Sequence, residues 1–502
     1  MTSQAPSPAT TVTIRRGAYR DSVALMRVSR EVSALDGVDA ALVAMATELN
    51  LELLAQMGGS VPEGTGPNDL LIAVRATGGE TTAAALERAD AELAAMSTGG
   101  GGGGGGAEAP ARTLRTAAAR AARDGAPASL ALVSVPGRYA AAEAFEALEA
   151  GLDVLVFSDN VPVEHEIALK DRAAGLGRLV MGPDCGTAVV GGAGLGFANT
   201  VRPGPVGIVA ASGTGAQQLV CLLDAAGVGV GHCLGVGGRD LSSAVAGRST
   251  RQALRLLDAD PATERIVLVS KPPAPEVAEA VRAEAAALAT PVHLVMLGGE
   301  TDLSAAAAEV VTALGGPAPR WPSWSPAAAP SPRAGALRGL FCGGTLADEA
   351  MLIASAALGP IASNIPLRPG DAAWTLPADL RHDGHLVIDF GDDTLTSGRP
   401  HPMIDPSARE ERLRAELADP AAGVVLLDVV LGHGAHPDPA AGVAAALTGS
   451  GSAVPVVVTL CGSSGDPQGL EAQAAALASA GAEVYLSNAE ATRRALDLLK
   501  RP

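Results

Sequence analysis

Aromatic residues are scarce, at 2% of 502 positions, which removes the stacking platforms on which proteins lay bases and sugar rings. Positive charge is also in deficit. The 36 Lys and Arg face 54 Asp and Glu for a formal charge of −18, so the phosphate neutralisation that drives nucleic-acid binding has no source. Cysteines number 5. Cys185, Cys221, Cys233, Cys342 and Cys461 lie far apart without a C-x-x-C pair, which excludes a disulfide framework or a zinc site read from spacing and fits a reducing cytoplasm. No apolar run of about 18 residues occurs, and Met1 to Arg20 lacks the apolar stretch of a signal peptide, so the expectation is a soluble protein with no membrane partner.

Small residues are abundant. Glycine numbers 61, alanine is everywhere, and 48% of residues are hydrophobic, enough to fill a core in each of roughly three or four domains. Recognition in such a chain rests on main-chain groups and helix ends. An unbroken glycine tract, Gly99 to Gly106, has nothing to bury and reads as a flexible tether. A Pro/Ala/Ser stretch from Gly316 to Pro332 reads as a second boundary in which proline blocks regular structure. Before the tether, expected strands at Thr11–Arg16, Val38–Met45 and Leu70–Ala76 and helices at Ser22–Leu35 and Thr81–Met96 make a small α+β sandwich. Tyr19 to Ser22 and Ala46 to Asn50 read as helix starts capped by Ser, Thr or Asp. Beyond it, short β-branched runs alternate with Ala/Leu-rich helical stretches, the pattern of parallel sheets covered by helices on both faces. Ligands bind such sheets at the carboxyl ends of the strands.

Three strand-to-helix turns carry the chemistry. The strand from Val206 runs into Ser212, Gly213 and Thr214, where backbone N–H groups and hydroxyls can converge on a phosphate or carboxylate, or where Ser212 simply caps a helix. The strand from Val424 runs into Gly432, His433, Gly434 and His436, whose imidazoles could move protons or pair with an anion. With no third ligand at diagnostic spacing, no metal site is assigned. The strand ending at Leu460 runs into Gly462, Ser463 and Ser464. Between them lies Asp389 to Asp393, then a long Pro-rigid loop with Arg399, His401 and Asp405, longer than a simple connector needs. A solvated carboxylate cluster is the plainer reading of that stretch.

The order of these turns resembles succinyl-CoA synthetase and the acyl-CoA synthetases built like it. Pro136-Gly137, Met181 to Gly186, Val206 to Thr214 and Val236-Gly237-Gly238 are similar to the family's α subunit. Gly339 to Glu349, Ile388 to Asp393, Asp428 to Asp438 and Leu460 to Asp466 are similar to the carboxyl-terminal domain of its β subunit. With the small leading domain and the Gly398 to Pro406 loop, nearly the whole chain resembles the FdrA proteins. The resemblance implies an α/β fold of tandem Rossmann/flavodoxin-like parallel-sheet domains of the succinyl-CoA synthetase type, preceded by a small α+β domain. The implied segments are 1–98, a Gly-rich linker 99–111, a truncated CoA-binding domain 112–202, an α-like ligase domain 203–318, a Pro-rich linker 319–332 and a β-like ligase domain 333–502.

Departures from the family's pattern limit the activity that carries over. Gly298 to Asp302 replaces the loop of the phosphorylated histidine, and His293 lies inside an apolar strand. The glycine-rich first βα unit that holds the CoA nucleotide is absent, which puts CoA in doubt and leaves no cofactor assigned. No ATP-grasp module and no G-x-x-x-x-G-K-[ST] loop occurs. The retained feature is the pair of opposed helix N-termini that grip the phosphohistidine in the family, here matched to Ser212–Thr214 and Gly432–Gly434. The resulting expectation is a subunit of an oxamate carbamoyltransferase-type complex, converting oxalurate and phosphate to oxamate and carbamoyl phosphate in purine and allantoin breakdown. Ser212, Gly213, Thr214, Gly237, Gly238, Gly432, Gly434, Gly462, Ser463 and Ser464 would bind small anions. His433 or His436 would serve as acid/base, and Arg399 would clamp a carboxylate oriented by His401 and Asp405. The alternatives are an acyl-CoA synthetase subunit working with a separate ATP-grasp chain, or a non-catalytic anion-binding scaffold. Partner subunits of a multienzyme complex are expected in each case.

Overall fold

The computed structural model describes residues 9–18, 20, 22–98, 111–299, 301–396 and 400–499. The chain divides into two compact units, one reaching to Arg112 and the other beginning at Thr113. In the first, β1 (Ala9–Arg15), α1 (Ser22–Ser33), β2 (Val38–Met45), α2 (Glu48–Gln56), β3 (Leu70–Ala76) and α3 (Gly79–Thr98) form a sheet in the order β1-β3-β2. Both pairings are antiparallel. Leu25, Val28 and Val32 of α1 and Ala85, Ala89 and Leu93 of α3 cover one sheet face, and Leu54 of α2 covers the other. Thr47 caps α2, its hydroxyl accepting the Asn50 amide at 3.4 Å, as its sequence context implies. Tyr19 and Asp21 lie outside the described residues.

The second unit holds three sheets. α4 (Leu114–Arg123), β4 (Leu130–Val133), α5 (Gly137–Glu149), β5 (Asp153–Val156), α6 (Val163–Leu176) and β6 (Val180–Met181) build a three-stranded parallel sheet, β4-β5-β6. Next come β7 (Thr187–Val190), β8 (Ala193–Gly196), β9 (Val206–Ala211), α7 (Gly213–Ala225), β10 (Val230–Gly235), α8 (Arg248–Ala259), β11 (Arg265–Ser270), α9 (Pro275–Ala287), β12 (Val292–Met296) and α10 (Leu303–Ala313). Their six-stranded sheet runs β12-β11-β9-β10-β7-β8. It is parallel from β12 to β10 and closed by the antiparallel β7–β8 hairpin.

The remaining elements are β13 (Ser323–Trp324), β14 (Ala336–Phe341), α11 (Gly344–Leu358), β15 (Ala362–Ser363), β16 (Leu386–Asp389), α12 (Asp393–Thr396), α13 (Ser407–Ala418), β17 (Ala422–Val430), α14 (Pro439–Ser450), β18 (Val456–Cys461), α15 (Leu470–Ser479), β19 (Glu483–Tyr485) and α16 (Asn488–Leu498). Seven strands pair as β13-β19-β18-β17-β14-β16-β15. All are parallel except β13. The α/β parallel-sheet class is therefore the observed one.

One continuous core joins the two larger sheets. Ile208, Val267 and Val295 of the six-stranded sheet, Leu219 and Leu223 of α7, Leu346 and Met351 of α11, and Leu340 and Leu427 of the seven-stranded sheet share it. α7 and α11 are thus sandwiched between sheets, and their N-termini emerge at the strand carboxyl ends. Among the described residues no helix is long and apolar enough to cross a membrane, and all 5 cysteines are free and buried. Two features depart from the sequence reading. Ser323–Trp324, in the proline-rich stretch, pairs antiparallel with β19, because a sheet edge tolerates neighbouring prolines. No strand is named from the sequence at β14, where Arg338 and Gly339 interrupt the apolar run. Arg338 is buried there because Glu416 at 3.0 Å and Asp419 at 2.9 Å neutralise it.

Candidate functional site

Two helix starts interlock at the centre of the second unit. β9 ends at Ala211, and Ser212, in extended backbone at φ −168°, caps α7 by accepting the Gly215 amide at 3.1 Å. β14 ends at Phe341, and the turn after it is pinned by buried Asp428 of β17, which accepts the amides of Cys342 at 2.8 Å and Gly343 at 2.9 Å. Arg409 of α13 holds that carboxylate at 2.8 Å. The Ser212 Oγ to Thr345 Oγ1 distance is 2.6 Å. A Cβ on Gly343 would lie 2.7 Å from Thr214 Cγ2, and one on Gly215 would lie 3.0 Å from Thr345 Cγ2, so only glycine lets the two turns approach this closely.

First-turn amides have no acceptor within their own helix. Among the described residues, the amides of Gly213, Thr214, Gly344 and Thr345 donate to no protein atom. Gly213 is exposed and Gly344 half-buried, so the positive ends of two helices face solvent across a narrow gap. Such an arrangement attracts an anion.

Charged side chains ring the gap. Lys271, the first residue beyond β11, reaches Asp348 of α11 at 3.5 Å. Burial would lower its ammonium, but Asp348 and Asp389 outweigh that and hold it above its ordinary value. Asp389, at the end of β16, is 4% exposed. Burial pushes its carboxyl up to about 7 against the pull of the Gly391 amide and Lys271. Asp184 is solvent-exposed, yet crowding by protein, with Asp393 and Asp159 nearby, raises it to about 7. Burial also raises Asp348, opposed by Lys271. The site can therefore hold an anion beside a cation while nearby carboxyls carry protons near neutrality.

The residues singled out in the sequence divide. Ser212, Gly213 and Thr214 form one side of the gap. The partner turn is Gly343-Gly344-Thr345, which corrects the expected pairing with Gly432–Gly434. The Gly432 amide donates to Gln468 Oε1 at 3.0 Å, the His433 amide to the Ala198 carbonyl at 2.8 Å, and the His436 amide to the Met403 carbonyl at 2.7 Å. His433 Nε2 lies 3.2 Å from Thr200 Oγ1, and a Cβ on Gly434 would lie 3.0 Å from the Phe197 ring. The third turn is filled likewise. A Cβ on Gly462 would strike Leu431 at 2.6 Å. The Ser463 amide donates to Asp466 at 2.8 Å, its hydroxyl donates to the Thr200 carbonyl at 2.6 Å, and Ser464 is exposed. Asp466 also accepts the Asn199 side-chain amide at 2.8 Å and the Thr200 backbone amide at 2.7 Å. The chain's own segment 196–200 thus occupies both carboxyl-terminal turns.

Gly237 packs on the preceding loop, since a Cβ there would lie 2.4 Å from the Pro183 carbonyl oxygen, and Gly238 faces open space. Arg399 lies outside the described residues. His401 accepts the Met403 amide on Nδ1 at 3.2 Å and packs against Phe197 with ring centroids 5.8 Å apart. Burial, then Arg409, pushes its pKa down to about 4, so it is neutral. Asp405 accepts the Ser407 amide at 3.1 Å. Both make hydrogen bonds within their own loop. After β12 the turn Leu297–Gly299 borders a groove of about 650 Å³ along α9, and half-buried His293 has its pKa lowered by burial. Sequence reasoning missed Lys271, Gly344 and Asp348 as site residues. Lys271 carried a readable signal, as the charged residue directly after the apolar run Ile266–Val269 and Ser270.

Residues 340–498 match the CoA-ligase family, and residues 7–110 match a family described as AllF, heavy metal-associated domain. The protein YahF of Escherichia coli K12 is 40% identical over 451 residues, covering 85% of this chain and 85% of that one. The chain belongs to the FdrA/succinyl-CoA synthetase-like family. Shorter stretches of this FdrA-like chain resemble the α subunits of CoA ligases. The subunit alpha 2 of an ADP-forming succinate–CoA ligase from Archaeoglobus fulgidus is 33% identical over 150 residues, 29% of this chain and 51% of that subunit. The subunit SauD of an ADP-forming sulfoacetate-CoA ligase from Bilophila wadsworthia is 31% identical over 169 residues, 32% of this chain and 56% of that subunit. The match therefore spans about half the length of those subunits. A dinucleotide-forming acetyl-coenzyme A synthetase from Ca. Korarchaeum cryptofilum, in complex with phosphate and ADP, is structurally similar at a TM-score of 0.27 and 16% identity, covering 74% of this chain and 84% of that one.

The family model and the curated relatives fit the acyl-CoA ligase expectation better than the carbamoyltransferase one, which none of them shows. The name of the first domain's family implies a heavy metal, but residues 7–110 contain neither cysteine nor histidine. Thiolate and imidazole donors are therefore lacking in that segment, and no metal chemistry is derived there.

Proposed function

We propose that the chain is a subunit of an acyl-CoA ligase-type enzyme, seating the phosphate or acyl phosphate of the reaction between the N-termini of α7 and α11. The observation that carries this reading is the pair of facing helix starts, with Ser212 and Thr345 in contact at 2.6 Å and first-turn amides left for a ligand. Amides aimed at developing negative charge contribute about 2.7–4 kcal/mol per well-placed donor, and Lys271 adds a countercharge. No G-x-x-x-x-G-K-[ST] loop occurs in these 502 residues, and the reading assigns the nucleotide to an ATP-grasp module outside them.

A second reading, carbamoyl transfer between oxalurate and phosphate, is favoured by one specific feature. Gly298 to Asp302 offers no histidine to carry a phosphoryl group, and carbamoyl transfer needs no such carrier. The experiment is direct: co-purify the chain with its physiological partner chains and supply ATP, CoA and carboxylic acids, or oxalurate and phosphate. CoA thioester formation supports the first reading and carbamoyl phosphate the second. Neither product, with anion binding retained, leaves a scaffold. Gly344→Ala should abolish whichever activity is found, because its Cβ would lie 2.6 Å from Asp389 Oδ2 and 3.2 Å from Lys271 Nζ, filling the seat.

A further inference from the structure

Asp389 has one oxygen committed and one that is not. Oδ1 accepts the Gly391 amide at 2.9 Å. Oδ2 accepts from no described group and points at the start of α11, 2.6 Å from where a Cβ on Gly344 would be. Lys271 Nζ lies 3.2 Å from that same point. The backbone behind the carboxyl is fixed by Asn364, which accepts the Asp389 amide at 2.9 Å and donates to its carbonyl at 2.9 Å. A residue 4% exposed thus aims an unpartnered oxygen into the gap that the anion would occupy.

We propose that Asp389 is a direct ligand contact that must carry a proton for an anion to bind, so that the gap takes up an oxyanion together with one proton from solvent. Protonated, the carboxyl donates a hydrogen bond to a phosphate, sulfate or carboxylate oxygen. Ionised, it repels that oxygen at contact distance. This role rests on the reading of the gap as an anion seat. The groups facing Asp389 set the terms. Lys271 from β11 is a cation, Asp348 lies on α11, and Asp428 of β17 is paired with Arg409. His401 Nε2 is 2.8 Å from where a Cβ on Gly391 would be. Asp184 sits near Lys271, with Asp393 and Asp159 beside it. Lys271, held above its ordinary value, stays charged and His401 stays neutral from pH 6 to 8, while Asp389 and Asp184, both raised to about 7, titrate across that range beside Asp348 and Asp393, which burial raises as well. Glu349 of α11 is also raised to about 7, but both its oxygens are engaged, by the Leu303 amide and the Asn488 side chain.

Sulfate is the probe, because it does not titrate in this range. Calorimetric titration of the full chain should give a Kd that weakens about tenfold from pH 6 to pH 8. Asp389→Asn, close in shape, should bind with a Kd that is flat across that range, while Asp184→Asn should keep the wild-type dependence. In the wild type itself, titration in two buffers of different ionisation enthalpy should report uptake of up to one proton per sulfate near pH 7. A pH dependence that survives in Asp389→Asn, one that disappears in Asp184→Asn, or binding without proton uptake would overturn the role of Asp389 and leave the anion seat standing. No sulfate binding at either pH would overturn the seat and this role together.

Discussion

Two places in the second unit share one sequence signature, an apolar strand followed by small residues, and they have opposite fates. At Ser212–Thr214 and Gly343–Thr345 the first-turn amides donate to no described protein atom and face each other. At Gly432–His436 and Gly462–Asp466 the amides and carboxylate are engaged by Gln468, Met403 and the segment 196–200. The difference lies in the length of chain between strand and helix. α7 and α11 begin at once, at Gly213 and Gly344, whereas α14 begins only at Pro439 and α15 only at Leu470. A helix that starts immediately leaves donors aimed outward. A longer connection gives the chain room to fold over its own donors, and burial then requires that they be paired. The first arrangement suits a ligand, and the second fastens one part of the unit to another.

If the second arrangement is structural, removing its hub should be costly. Asp466 is buried and accepts from Asn199, Thr200 and Ser463 at 2.8, 2.7 and 2.8 Å. Asp466→Ala strands those donors, and we expect a loss of about 3–5 kcal/mol, read as a shift of the urea midpoint. A loss below about 1 kcal/mol would mean that water readily replaces the carboxylate, and the contrast between the two places would weaken. The next effect tests the first arrangement. Lys271→Met keeps the aliphatic stem and removes the charge next to Asp348 and Asp389. Sulfate affinity should fall about tenfold, near 1.4 kcal/mol, with thermal stability little changed. Unchanged affinity would show that the helix ends alone hold the anion.

Much of the fold is legible in the sequence because its strands are apolar runs closed by small or polar residues. Val206–Ala211, for example, is an apolar run that ends directly at Ser212, where the sequence places the turn. β14 is not legible in this way, because Arg338 and Gly339 break its pattern. Arg338 is tolerated only through carboxylates from α13 and the turn after it, and Gly339 only because a Cβ would lie 2.6 Å from Val387 Cγ2. Losing β14 hides the turn after it, and with it the partner of Ser212. The acceptors of the Gly432 and His433 amides, Gln468 and Ala198, are likewise invisible, since they come from distant parts of the chain. Sequence periodicity places a turn at a strand end, but which turns face each other depends on how two sheets share a core.

The smallest effect bears most directly on the imidazole-bearing loop. His433 is exposed, its backbone amide is taken by Ala198 and its Nε2 lies 3.2 Å from Thr200 Oγ1. Phe197 links this loop to the gap: its ring packs against Gly434 and His401, its carbonyl accepts the Thr187 hydroxyl at 2.8 Å, and Thr187 Oγ1 is 4.0 Å from where a Cβ on Gly213 would be. His433→Ala removes one exposed hydrogen bond and nothing from the helix ends. Stability should change by about 0.5 kcal/mol, and sulfate affinity should stay within a factor of about two. Turnover by the assembled complex decides the rest: a general acid/base at this position would cost about 10²- to 10⁴-fold, whereas a residue that only fastens segment 196–200 would leave the rate nearly unchanged. A collapse of turnover with sulfate affinity intact would put proton transfer on the fastened side of the molecule and bring the two places back into one active site.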